Sequence, residues 1–192
     1  MKKIITSFLI CLSLFCNAQK ENKSPTFKFS YFGEMITHPG LKFGVEHQIF
    51  LKESRKKQKE IKHQIISSLN IGGYTHFKFN SNLFVNTEIG YRHTCSGGFV
   101  YETMIGIGYL RTFLNGKTYT VTNNGGISKF FLAGSNSFMP SFSLGFGADL
   151  KNKNNSIKAW YIKPVLFLQM PYNSSILPHL AIETGINFQL NK

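Results

Sequence analysis

At 192 residues the chain has room for one ordinary domain, and none for a second once an export signal is removed. Its formal charge of +13 is strongly basic, but an exported chain rarely meets nucleic acid, so no nucleic-acid partner is expected. Of the three cysteines, Cys11 and Cys16 leave with the signal; Cys95 remains alone, which excludes an intramolecular disulfide and leaves the fold to hydrogen bonds and burial.

Residues 1–18 have the layout of a secretory signal: Lys2 and Lys3, the apolar run Ile4 to Phe15, then Cys16-Asn17-Ala18 as a small-residue cleavage site before Gln19. The run falls short of the roughly 20 apolar residues a membrane-spanning helix needs. Cleavage is expected rather than anchoring, and Phe15 is a poor fit to a lipidation motif at Cys16. Removal of Lys2 and Lys3 lowers the charge from +13 to +11. Residues 19–25 read as a short polar tail and 26–192 as a β-domain.

Side chains in a strand alternate between two faces, and most of the mature chain shows that period. In 26–36, Phe27, Phe29 and Tyr31 oppose Lys28, Ser30 and Glu34, with Phe32 an exception. After the turn signal His38-Pro39-Gly40, segment 41–51 sets Leu41, Phe43, Val45, Ile49 and Leu51 against Lys42, Gly44, Glu46 and Gln48. Lys52 to Lys62 is a charge run with no apolar stripe, and is predicted to be a solvated loop. Segment 62–76 carries Ile65, Leu69 and Ile71 opposite Ser68, Asn70, Gly72 and Tyr74. Segment 83–94 carries Leu83, Val85, Thr87, Ile89 and Tyr91 opposite Asn86, Glu88, Gly90 and Arg92, before the tight turn Cys95-Ser96-Gly97-Gly98.

In 99–113, Tyr101, Thr103, Ile105, Ile107 and Tyr109 oppose Glu102, Met104, Gly106 and Gly108; Arg111 lands on the apolar side, near a strand end where it can snorkel. Alternation is poor from 114 to 137, which predicts a long loop containing a small hairpin. It resumes in 139–150, with Phe142, Leu144, Phe146, Ala148 and Leu150 opposite Ser141, Ser143, Gly145, Gly147 and Asp149. Lys151 to Asn155 reads as a polar turn. Segment 156–170 sets Trp160, Ile162, Leu166 and Leu168 against Tyr161, Lys163 and Gln169, and Pro164, unable to donate a ladder bond, predicts a local break. After a loop over 171–177, Leu180, Ile182, Thr184, Ile186, Phe188 and Leu190 oppose Ala181, Glu183, Gly185, Asn187 and Gln189 in 178–190.

Eight segments with one apolar face predict an all-β fold, an antiparallel up-and-down transmembrane β-barrel with both termini on the periplasmic side. A rival assignment drops 26–36 from the ring and adopts 117–133, which moves the basic run 52–62 outside the cell. A soluble exported barrel or sandwich shares the period; the segment lengths and the strand-end aromatics Tyr91, Tyr109, Trp160 and Tyr172 favour the outer membrane.

The polar face gathers Lys28, Glu34, Lys42, Glu46, Glu88, Arg92, Glu102, Asp149, Lys163 and Glu183. An eight-stranded barrel is just wide enough to be filled by side chains, so these charges have to pair in the lumen, with glycines at 44, 72, 90, 106, 108, 145, 147 and 185 making room. A structural plug is expected rather than a catalytic carboxylate pair. The histidines at 38, 47, 63, 76, 93 and 179 show no zinc spacing, and neither metal nor cofactor is implied. Gly106-Ile107-Gly108 lacks the following helix of a phosphate loop. Arg92-His93-Thr94-Cys95-Ser96 brings a histidine, a thiol and a hydroxyl close, but lipid A deacylase barrels use a His and a Ser two residues apart, and here they are three apart.

Gly106-Ile107-Gly108-Tyr109-Leu110-Arg111-Thr112-Phe113, Phe138-Met139-Pro140-Ser141 ahead of a strand, and Pro171-Tyr172-Asn173-Ser174-Ser175 through the last strand resemble small outer-membrane barrel proteins of the Bacteroidota; the signal ending Asn17-Ala18-Gln19 is similar to theirs. These motifs mark architecture and imply no activity. Such barrels often end on an aromatic residue read by the insertion machinery, whereas this chain ends Phe188-Gln189-Leu190-Asn191-Lys192, so Phe188 or Leu190 has to serve. The expected role is a non-enzymatic envelope or surface-binding one, as a monomer in contact with outer-membrane lipid and lipopolysaccharide. The alternative is a lipid-A-modifying enzyme, a deacylase or acyltransferase, which needs His93 or another lipid-facing polar group at headgroup level.

Overall fold

The computed structural model describes residues 25–56, 59–121, 126–130, 132–150 and 156–189. The predicted signal segment, the predicted tail up to Ser24, the predicted turn Lys151–Asn155 and Leu190 lie outside them. Eleven strands follow in chain order: β1 Thr26–Glu34, β2 Gly40–Lys56, β3 Lys59–His76, β4 Asn80–Thr94, β5 Phe99–Leu114, β6 Thr118–Val121, β7 Ile127–Phe130, β8 Gly134–Phe138, β9 Ser141–Asp149, β10 Ile157–Tyr172 and β11 Ser175–Phe188.

Neighbours in sequence pair antiparallel from β1 to β5, β10 pairs β11, and β11 returns to β1 through Phe27↔Phe188 to Glu34↔Ala181. β8 and β9 together form the wall between β5 and β10. The result is a closed, antiparallel, up-and-down barrel of eight staves, as the period predicts. β1 belongs to the ring, and β6 and β7 pair only with each other, so 26–36 rather than 117–133 supplies the eighth stave. Both described chain ends lie at one end of the barrel, with the β2–β3 and β4–β5 turns; the β1–β2, β3–β4 and β10–β11 turns and the β6–β7 hairpin lie at the other.

Four expectations need correction. Of the run 52–62, residues 52–56 and 59–62 are not a loop, with 57 and 58 outside the described residues: the β2–β3 ladder continues through Lys52↔His63 and Glu53↔Lys62 to Lys56↔Lys59, because ladder hydrogen bonds persist where there is no face to bury. A register shift between Gln48 and Phe50 bulges β2 at Ile49, so that Phe50 is exposed and Leu51 lines an interior cavity instead of the outer face. The segment predicted as 139–150 begins earlier, since Gly134–Phe138 already pairs with β5; the break falls at Met139-Pro140, where Met139 N–H still donates to the Gly108 carbonyl. Finally, the loop expected over 171–177 shrinks to Asn173 and Ser174, both at positive φ, which make a two-residue turn between β10 and β11. At Pro164 the β9–β10 ladder is interrupted between Ile162↔Phe146 and Val165↔Ser143 without a change of register, so the predicted local break is there and no bulge accompanies it.

Outside, apolar side chains stand exposed on every stave, among them Phe29, Phe43, Leu69, Val85, Ile107, Phe142, Leu166 and Leu180. Inside, the lumen is layered. Phe32, Tyr74, Phe84, Leu110, Met139, Val165, Phe167 and Ala181 form an apolar plug towards the end opposite the termini. That plug explains the parity exception at Phe32, which is an inward aromatic ring packed 5.1 Å from that of Phe84. Charged and neutral polar residues line the rest.

Candidate functional site

Strand parity carries a lysine, arginine or glutamate inward from each of β1, β2, β4, β5, β10 and β11, and eight of these side chains meet: Lys28, Lys42, Arg92 and Lys163 with Glu46, Glu88, Glu102 and Glu183. Four cations face four anions. Lys163 and Glu183 are 0% exposed, so the cluster sits on the barrel axis rather than at its rim. Lys42 Nζ lies 2.8 Å from Glu88 Oε1 and 2.9 Å from Glu183 Oε2. Lys163 Nζ lies 2.6 Å from Glu102 Oε1. Arg92 donates from Nη1 and Nη2 to the two oxygens of Glu46 at 2.5 and 2.7 Å, and from Nε to Glu102 Oε2 at 2.9 Å. Such a two-pronged pair is the strongest form the guanidinium makes.

Neutral groups complete the carboxylate shells. Ser30 and Tyr161 hydroxyls donate to Glu183 Oε1 at 3.0 and 2.7 Å, while Ser68 Oγ and Asn86 Nδ2 donate to Glu88 at 3.3 and 2.9 Å. Lys28 is held more loosely, 3.5 Å from Glu46, and both its Nζ and that of Lys163 lie 5.2 Å from the Tyr161 ring centroid. Glycines provide the space: a Cβ on Gly145 would strike Glu102 Cγ, and one on Gly106 would come within 2.9 Å of Glu88 Cγ.

Two of the ten predicted network residues stand apart. Glu34 lies beyond the apolar plug, where His38 Nδ1 and His179 Nδ1 donate to its carboxylate, the latter at 2.8 Å. His179 Nε2 lies 3.2 Å from Gln169 Oε1, Gln169 Nε2 donates to Ser137 Oγ at 3.2 Å, and Ser137 Oγ to the Pro171 carbonyl at 3.2 Å. Asp149 lies at the termini end, lining a cavity with Lys158. The sequence singled out neither the histidines on Glu34 nor the hydroxyls on Glu183; their inward parity was the available signal.

The plug and the cluster divide the lumen into two end cavities. The one at the termini end, about 370 Å³, is floored by Glu46, Arg92 and Glu102; the other, about 520 Å³, is lined by Glu34, His38, His76, Asn82, Gln169 and His179. The two share no lining residue. Each carboxylate of the cluster has a cation's nitrogen 2.5 to 2.9 Å away. Outside, His93 faces away from the lumen, and its recorded hydrogen-bond partner is His63 at 3.3 Å, not Ser96 or a carboxylate. Cys95 is a free, partly exposed thiol.

No protein-family model and no curated protein matches this chain. Among solved structures it is similar to the β-domain of the Bordetella autotransporter BrkA, at 12% identity over 84% of this chain and 66% of that one, with a TM-score of 0.40.

Proposed function

We propose that this chain is an exported outer-membrane β-barrel protein with a blocked lumen and a non-enzymatic role in the envelope. The observation that carries this is an inside-out distribution of polarity. A barrel in water hides its apolar side chains and shows its charges, whereas here Lys163 and Glu183 are sealed inside while apolar residues ring the outside. Soluble monomers rarely expose contiguous apolar patches beyond a few hundred Å². Along β4 the outward set from Leu83 to Tyr91 covers eight residue steps, about 27 Å of strand at ~3.4 Å each. At a tilt of about 40° this gives roughly 20 Å along the axis, close to the ~25 Å apolar band of such barrels. Trp160, Tyr91 and Phe99 near one end and Tyr109 and Phe138 near the other fit its aromatic girdles.

With both termini on the periplasmic side, the 52–62 ribbon points into the periplasm and the β6–β7 hairpin faces outward. Phe188, stacked on Phe27 with ring centroids 5.7 Å apart, is the strand-terminal aromatic that the insertion machinery reads. Outer-membrane lipid and lipopolysaccharide are the surrounding partners, and the barrel acts as a monomer. Membrane fractionation followed by gels of boiled and unboiled samples tests the location: unheated protein runs at a different mobility, and recovery in the soluble periplasm overturns the reading. Incubation with lipopolysaccharide, followed by mass spectrometry, tests the absence of catalysis; release or transfer of an acyl chain overturns it.

A further inference from the structure

One row of outward side chains at the termini end takes no part in the lumen. Lys52 of β2, His63 of β3, His93 of β4 and Tyr101 of β5 are direct cross-strand partners, through Lys52↔His63, His63↔His93 and His93↔Tyr101. They alternate with inward Glu53, Lys62, Arg92 and Glu102 and so share the outer face. Tyr91, one pleat nearer the apolar belt, is hydrogen-bonded through its hydroxyl to His63 Nδ1, and His93 Nδ1 lies 3.3 Å from the same nitrogen with the two rings 4.8 Å apart. These contacts use Nδ1 of both imidazoles. No acceptor among the described residues meets either Nε2 or Lys52 Nζ.

Arg111, the outward cation towards the opposite end, makes a useful contrast. Its Nη1 donates to Asn136 Oδ1 at 2.8 Å and its Nη2 to the Leu132 carbonyl at 2.8 Å, so protein groups satisfy it. The His63–His93 row has no such cover, although it sits where exposed Phe50, Ile65 and Tyr91 mark the margin of the apolar belt. At that level two imidazole Nε2 atoms, each able to carry a proton, and a lysine with a stem long enough to follow the surface can donate to the oxygens of a phosphate.

We propose that Lys52, His63, His93 and Tyr91 form a binding site on the outer wall for the phosphodiester of a membrane phospholipid headgroup, in the leaflet around the barrel's termini end. The site rests on the outer-membrane reading, and its test is chosen so that the two can fail separately. The full mature chain in detergent is titrated with dioleoylphosphatidylglycerol, with dioleoylglycerol, which has the same tails and no phosphate, and with lipid A, and bound lipid is read by native mass spectrometry. The phospholipid should be held at least about tenfold more tightly than dioleoylglycerol. His63→Phe combined with His93→Phe should remove that preference, and Arg111→Met should leave it intact. Equal retention by wild type and double variant overturns the site, and so does preferential capture of lipid A by these residues. Should the double variant fail to fold, ¹⁵N-histidine spectra of the wild type decide: phosphatidylglycerol should shift the His63 and His93 Nε2 signals and leave His179 unmoved, and the absence of any shift overturns the proposal. A chain recovered as a soluble protein whose His63 and His93 signals respond to glycerophosphate would keep the phosphate site and lose the membrane; a heat-modifiable membrane barrel with no response would lose the site alone.

Discussion

Arg92 and Glu46 meet in a two-pronged ion pair although their strands, β4 and β2, are not neighbours: the contact reaches across β3. It therefore ties staves that no ladder bond connects. Removing one member of a buried pair typically costs about 3–5 kcal/mol, whereas replacing both by fitted apolar groups can be near neutral. Arg92→Met should accordingly lower the unfolding midpoint in detergent more than Arg92→Met with Glu46→Met, with Glu102 still covered by Lys163 in the double variant. A double variant no more stable than the single one would mean that Lys28, 3.5 Å from Glu46, covers that carboxylate when Arg92 is gone.

Ile107 faces outward in mid-barrel at 61% exposure, and Ile127, in the β6–β7 hairpin, is exposed too. In water, lysine at either position would be harmless. In a bilayer, Ile107→Lys should cost about 2–4 kcal/mol near the midplane, against a few tenths for Ile127→Lys. Urea midpoints in lipid vesicles measure both, and equal tolerance would count against a membrane-facing wall.

Gly145 faces Glu102 closely enough that an added Cβ would strike Glu102 Cγ and lie 2.9 Å from Oε1, whereas one added at Gly97 would meet nothing within 4 Å. Gly145→Ala should push Glu102 away from Lys163 and Arg92 and destabilise the barrel by about 1–3 kcal/mol. Gly97→Ala should be nearly silent. Thermal shifts of the gel-mobility transition compare the two directly.

The ionic layer and the Phe32–Phe84–Phe167 plug lie in series along the lumen. Conductance across a planar bilayer should therefore be small or absent. A large, steady pore would overturn the blocked-lumen model and make transport the first function to consider.

Parity made the inside and the outside of the staves legible from sequence, because a one-residue step flips a side chain between two very different solvents. Eight of ten predicted lumen charges converge for that reason. Glu34 does not, because Phe32, read as an irregularity, belongs to an apolar layer that separates it from the other charges. Parity could not place the bulge at Ile49, since an inserted residue is visible only when a partner strand fixes the register. Nor could it detect strands with no buried face. Residues 52–56 and Gly134–Phe138 are held by their neighbours' backbones, and no hydrophobic pattern announces that.

The β2–β3 ribbon outruns the rest of the ring. β1 accompanies β2 only as far as Thr26↔Glu46, and β4 leaves β3 after Lys62↔Thr94, so among the described residues the far part of the hairpin has bare backbone along both edges. Open edges of that kind invite a strand from another molecule to add on, the first step towards aggregation, and natural proteins discourage this with lysine. In the sequence, Arg55, Lys56 and Lys59 fall within this stretch. Like charge carried by the hairpin of a second copy would oppose its strand adding to this one, which gives the basic run a physical use at an open sheet edge.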